Sequence, residues 1–198
     1  DEVITGFGRL GEWFGSTTYE IKPDLIAFAK GVTSGYLPLG GVLVNDKVAD
    51  TIIAKGGEFT HGFTYSGHPV SCAVAIANIK ALAEDNVIET VKDHTAPYLA
   101  KRWQSLSDHP IVGEARIKGL VAALELCKDK KTGKRFAAEH NVGSLCRDLA
   151  IENGLVMRAV GDTMIIAPPL IITHEQIDEL MTKAISTLDA TAAAVKTT

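Results

Sequence analysis

The sequence predicts an α/β fold in its first half, followed by a smaller α+β unit. Three observations carry this. Short apolar runs alternate with glycine-bearing loops between residues 24 and 45. An Ala-rich helical stretch and a more amphipathic one then fill about 69–107. From residue 111 the character shifts to paired strand-like runs, a helix, a Gly-Asp turn and a last helix. Layered elements of this kind separate into two packed bodies. On this reading residues 1–96 form one domain and residues 97–198 a smaller one.

In chain order, "DEVIT" (1–5) reads as the end of a strand, because Val3 and Ile4 favour extended backbone. "GEWFGSTTYEIKP" (11–23) has no helical period and reads as a loop. "DLIAFAK" (24–30) is almost continuously apolar, the look of a buried parallel strand. "GVLVN" (41–45) is a second short strand, and "DKVADTIIAK" (46–55) a helix capped by Asp46. The loop "GGEFTHGFTYSGHP" (56–69) is long enough to suggest function. The helix ending near Glu84 carries few charges and should be buried on most sides. The next, from Asn86 to about Ser107, should bend near Pro97. Residues 111–127 read as two strands joined at Gly119, and 139–154 as an amphipathic helix closing on Gly154. Gly161-Asp162 marks a hairpin. The final helix opens on a capping box, Thr173 with Gln176.

Composition narrows the function. Of the 198 residues 46% are hydrophobic and 22% charged, with a formal net charge of -4. That balance builds a core, and with no basic run it argues against nucleic acid or an anionic membrane as partner. "CKDKKTGKR" (127–135) reads as a solvated loop. No apolar run nears the roughly 20 residues of a membrane helix. Three widely spaced cysteines, Cys72, Cys127 and Cys146, suggest inert thiols in a reducing, cytoplasmic compartment. The chain opens on Asp1 without a Met or signal segment, which reads as a fragment or a truncation whose natural start lies upstream.

"GFGRLG" (6–11) fits G-x-G-x-x-G, the pattern of a dinucleotide-binding turn. That turn must be followed by a helix and, about 20 residues on, by an acidic residue ending a second strand. Neither is in place here. Lys30 ends a buried-looking strand, where α/β proteins bind ligands. An amine desolvated there is a nucleophile able to form a Schiff base; the alternative is a surface lysine with its stem lying along the protein. Arg158 sits between apolar neighbours and needs a partner, unless it lies at a sheet edge. Asp1 alone says nothing. His61 and His68 lack a third ligand at zinc spacing.

Taken together, "DEVITGFGR", "KPDLIAFAKGVTSGYLPLGG", "HGFTYSGHP", "VGEARIKGL" and "MRAVGDTMIIAPPL" resemble, in this order and spacing, the class III pyridoxal-phosphate-dependent aminotransferases. The resemblance runs through essentially the whole chain. It is strongest to the ω-amine:pyruvate group, and within it to polyamine (putrescine or spermidine):pyruvate enzymes. Leu10 departs from the more usual Thr.

The resemblance implies a fold-type-I transferase, with part of the large α/β cofactor domain and the small α+β C-terminal domain. It implies pyridoxal 5'-phosphate as cofactor and a dimer with the active site at the subunit interface. Lys30 matches the lysine that holds the cofactor as a Schiff base. Asp1 matches the aspartate paired with the pyridinium nitrogen, and Val3 the apolar residue on one ring face. Thr64 matches the hydroxyl that reaches the cofactor phosphate of the neighbouring subunit. Arg158 matches the mobile arginine that binds the keto-acid carboxylate. The implied activity is ping-pong transfer of an amino group from an ω-amine to pyruvate, with β-alanine or another ω-amino acid as alternative donor. The glycine-rich phosphate turn and the aromatic of the other ring face belong to a part of the family's chain that precedes "DEV". A catalytically incomplete folding or dimerising module is therefore the rival from another class.

Overall fold

The computed structural model describes residues 1–196. It comprises two compact units, Asp1–Val91 and Lys92–Thr198. Among the described residues the sheets are β1-β2 in the first unit and a four-stranded antiparallel sheet in the second.

In the first unit, residues 3–10 are a run of turns and not the end of a strand. The Gly6 N–H donates to the Glu2 carbonyl at 3.0 Å and folds the chain back at once. A short helix, α1 (Gly15–Thr18), lies inside the stretch that reads as loop. Strands β1 (Leu25–Phe28) and β2 (Gly41–Val44) pair antiparallel, Leu25 opposite Val44 and Phe28 opposite Gly41. This corrects the parallel-strand expectation for residues 24–30. Continuous apolarity reports a need for cover on both faces, not the direction of the neighbour. Here β1 is half-buried to exposed.

Helix α2 (Asp46–Lys55) is capped one residue earlier than expected. The Asn45 side chain accepts from the Val48 N–H at 3.0 Å, while its amide donates to Asp24 at 2.6 Å. Asp46 falls in the first turn, where a negative charge suits the helix dipole. Helix α3 (Pro69–Glu84) buries only Ser71, Ala75 and Leu82. Val70, Ile76 and Ile79 are exposed, so the expected all-round burial is not found in this chain. The unit's core gathers Phe7, Leu10, Val32 and Leu82. The Phe7 ring meets Phe14 and Phe28 edge-on at centroid distances of 5.6 and 5.9 Å, the geometry aromatic quadrupoles favour.

The helical stretch that begins at α4 (Val87–Thr90) passes through a π-turn, Val91–Thr95, into α5 (Ala96–Gln104). Pro97 is the cause: it has no N–H for the fourth carbonyl back, and a widened turn absorbs the loss.

The second unit is built on a sheet of order β3-β4-β6-β5: β3 (Val112–Lys118), β4 (Val121–Leu126), β5 (Arg158–Val160) and β6 (Thr163–Ile166). Gly161-Asp162 joins β5 to β6, with Val160 opposite Thr163 and Gly161 at φ 56°, where a side chain would be strained. One sheet face packs on helices through Trp103, Leu124, Met164, Ile177 and Leu188, all essentially buried. The Trp103 indole donates to the Ala123 carbonyl at 3.2 Å, so its burial leaves no polar group unpaired. Helix α6 (Val142–Glu152) ends at Gly154, φ 72°, with the Leu155 N–H reaching back to Ala150 at 2.8 Å. Helix α7 (His174–Lys196) opens on the reciprocal capping box: Gln176 N–H to Thr173 Oγ1 at 3.2 Å, Thr173 N–H to Gln176 Oε1 at 3.0 Å. Residues 128–135 form the solvated loop expected, with the Asp129 carboxylate accepting from the Lys131 N–H and the Thr132 hydroxyl, while Cys127 at its start is buried.

Among the described residues no helix is long and apolar enough to cross a membrane, and no three metal-ligating side chains cluster. All three cysteines are free.

Candidate active site

Lys30 begins a single 3₁₀ turn, Lys30–Thr33, two residues past the end of β1. Its φ is 42°, in the left-handed region. A non-glycine residue held there costs about 1–3 kcal/mol, and such strain gathers at functional sites. Several contacts over-determine the turn. The Asn78 side chain on α3 donates to the carbonyls of Gly31 and Val32 at 2.9 and 3.1 Å. The buried Thr33 hydroxyl donates to the Leu37 carbonyl at 2.6 Å. A Cβ on Gly31 would lie 3.1 Å from Phe7 Cβ and 3.2 Å from the Gly6 carbonyl oxygen, so the Lys30 turn sits directly on the Gly6-Phe7 turn. The Lys30 residue itself is exposed, and its amine makes no ion pair among the described residues. The desolvation expected of it is not present in this chain.

The segment Asp1–Val3 is tied to the strand before Lys30 by backbone pairing at Glu2. The Glu2 N–H donates to the Ala27 carbonyl of β1 at 2.8 Å, three residues before Lys30. The Asp1 carboxylate accepts from the Val3 N–H at 2.8 Å, which ties its direction to Val3. Between them Glu2 points inward and is only 6% exposed. Its two oxygens accept from the Gly15 N–H at 2.8 Å, the Ser16 N–H at 2.6 Å and the Thr5 hydroxyl. Burial pushes the Glu2 carboxyl up, but these donors outweigh it and hold the group below its ordinary value. A small cavity opens beside Asp1, lined by Glu2, Thr5, Tyr19 and Leu25.

Thr64 stands in the exposed loop before α3, and its hydroxyl has no hydrogen-bond partner among the described residues. Arg158 opens β5, the edge strand, opposite Ile165; it is exposed and unpaired among the described residues. A guanidinium at an edge needs no internal partner, which answers the burial problem its apolar neighbours raise.

Of the expected residues, the structure brings Asp1, Val3 and Lys30 onto one interlocked pair of turns. Glu2 and Asn78 were missed in the sequence. Asn78 had a legible signal: it is a lone amide in the apolar run "AVAIANIKA", and a polar group there needs a partner. Glu2 has none, because two of its three donors come from residues 13 and 14 positions away.

Residues 1–188 match the family model described as aminotransferase class-III. The chain is 63% identical over 195 residues to a putrescine–pyruvate aminotransferase of Pseudomonas aeruginosa, covering 98% of this chain and 42% of that protein. It is 45% identical over 184 residues to a mitochondrial gamma aminobutyrate transaminase of Solanum lycopersicum, covering 91% of this chain and 36% of that protein. An (S)-enantioselective omega-transaminase from Thermomicrobium roseum superposes with a TM-score of 0.92 at 41% identity, over 96% of this chain and 42% of its own. The chain thus spans less than half the length of these relatives. With nearly all of its own length matched in sequence and in fold, it belongs to the class III aminotransferases.

Proposed function

We propose that the full-length protein carrying this sequence transfers an amino group from an ω-amine, a diamine or polyamine such as putrescine or spermidine, to pyruvate. The observation that carries the reading is the strained, doubly clamped turn at Lys30, joined to the turn of Asp1 and Val3. The 63% identity to a putrescine–pyruvate aminotransferase supports the choice of substrates. The 45% identity to a gamma aminobutyrate transaminase favours, as second reading, an ω-amino acid as donor.

Class III aminotransferases use pyridoxal 5'-phosphate. The donor set of this chain fits it: an accessible amine, a carboxylate, an apolar neighbour and a free hydroxyl. Lys30 Nζ would hold its aldehyde carbon, the Asp1 carboxylate its ring nitrogen, Val3 one ring face and Thr64 Oγ1 its phosphate across a dimer interface. The cofactor, when bound, supplies an electron sink for the substrate carbon beside the amine.

The remaining steps belong to side chains. The Asp1 carboxylate would favour the protonated ring nitrogen by opposite charge. With the cofactor bound, Lys30 Nζ would stand as the general base and acid that moves the proton of the substrate carbon. The Arg158 guanidinium offers the pyruvate carboxylate a planar, two-point match, and its position on an edge strand leaves it free to turn away from an uncharged amine tail. The three free cysteines support a reducing compartment, the cytoplasm, as its place of work.

The test is an amine panel with pyruvate on the full-length enzyme. Putrescine or spermidine as best donor supports the first reading, and 4-aminobutyrate or β-alanine the second. No alanine formed from any of them would overturn both.

A further inference from the structure

We propose that Glu2 is a positioning residue for Asp1, its buried carboxylate fixing the Asp1–Val3 segment against the end of β1. The inference rests on the reading of Asp1 as the partner of the cofactor ring nitrogen.

A carboxylate that is 6% exposed is costly unless it is fully bonded. Glu2 is bonded on both oxygens, and its three donors come from two places in the chain: Thr5 from its own turn, Gly15 and Ser16 from the start of α1. Its backbone is equally occupied. The N–H donates to Ala27 of β1, and the carbonyl accepts from Gly6. One residue therefore joins the Gly6-Phe7 turn, α1 and β1. The fit is close: a Cβ on Gly15 would fall 3.1 Å from Glu2 Oε2 and 2.9 Å from Thr5 Cβ.

Among the described residues the Asp1 side chain makes no hydrogen bond to a distant part of the chain. Its carboxylate accepts from Val3, the next residue but one, so its direction follows the backbone of residues 1–3. That backbone is held at residue 2. Lys30 is referred to the same frame, since Gly31 rests on Gly6 and Phe7. Converting Glu2 to an amide places an NH2 against at least one of its present donors, and the segment must move. Asp1 then leaves its place relative to Lys30 while its own chemistry stays intact.

The experiment is a double-mutant cycle on the full-length enzyme, prepared as apoenzyme and titrated with pyridoxal 5'-phosphate, read by cofactor affinity and by the visible band of the bound cofactor. The variants are Glu2→Gln, Asp1→Ala and the pair. Glu2→Gln should weaken cofactor binding about tenfold and alter the band, yet weaken it less than about twofold once Asp1 is already Ala, because coupled residues are not additive. Independent, additive losses would overturn the proposal, as would a Glu2→Gln variant that melts earlier but keeps wild-type affinity and band. If Glu2→Gln does not fold, Thr5→Val decides. It removes one of the three donors, and a weakening of twofold or more that disappears in the Asp1→Ala background supports positioning, while unchanged affinity overturns it. A wild-type enzyme that binds no pyridoxal 5'-phosphate would overturn the proposed function itself, and is thereby distinct from a failure of the Glu2 inference alone.

Discussion

The Asn78 side-chain amide donates to the Gly31 carbonyl at 2.9 Å, so helix α3 holds the turn that begins at Lys30. The same nitrogen reaches the Val32 carbonyl at 3.1 Å. Asn78→Ala removes both donors and should destabilise by about 1–3 kcal/mol, the cost of part-buried carbonyls left unpaired. Because the turn is strained at Lys30, cofactor retention should fall with it. Thermal unfolding and a pyridoxal 5'-phosphate titration of the full-length variant check this; wild-type values in both would remove Asn78 from the account.

Arg158 should matter for one half-reaction more than for the other. A guanidinium–carboxylate pair is worth roughly 1.5–3 kcal/mol, so Arg158→Ala should raise KM for pyruvate by about ten- to hundredfold. The KM for an uncharged-tail amine should change far less. Steady-state kinetics with each substrate varied in turn decide it, and equal losses for both would remove the carboxylate role.

The second unit carries a close approach with a steep expected cost. A Cβ on Gly143, in the first turn of α6, would fall 1.8 Å from the Gly161 carbonyl oxygen of the β5-β6 hairpin. The backbone is also bonded there, Gly143 N–H to Asp162 Oδ1 at 3.0 Å. Gly143→Ala must push helix and hairpin apart, at about 3 kcal/mol or more, the upper end of overpacking costs. Urea unfolding of the full-length variant would show it, and a change within error would mean that the approach relaxes freely.

Glu125 predicts the direction of an acid transition. Burial pushes its carboxyl up, but hydrogen bonds from Arg116 and Thr163 and the charges of Arg116 and Arg135 outweigh this and hold it below its ordinary value of 4.5. A carboxyl lowered in the folded state stabilises fully above its unfolded value, and the contribution is lost as pH falls through the folded one. Glu125→Gln should therefore flatten the loss of stability below about pH 4.5. Denaturant midpoints across that range test it; parallel pH profiles for variant and wild type would contradict it.

Much of this was legible in the sequence, and the misses have physical reasons. The capping box at Thr173, the Gly154 stop and the Gly161-Asp162 hairpin are local patterns of a few residues, and each appears in place. The direction of β1 was not legible, because apolarity at 25–28 carries no record of its partner. The cap at Asn45 was missed by one residue because Asn45 is fixed by Asp24, 21 positions away. For the site, Lys30 and Asp1 could be singled out together only through family resemblance. Glu2, whose anchors are distant in sequence, appears only once the turns are folded.

The central claim is that the Lys30 amine carries the cofactor. The direct measurement is borohydride reduction of the full-length holoenzyme, followed by proteolysis and peptide mass mapping. A single reduced pyridoxyl phosphate adduct is expected, on the peptide containing Lys30 and absent from Lys30→Ala. An adduct on another lysine, or none, would contradict it.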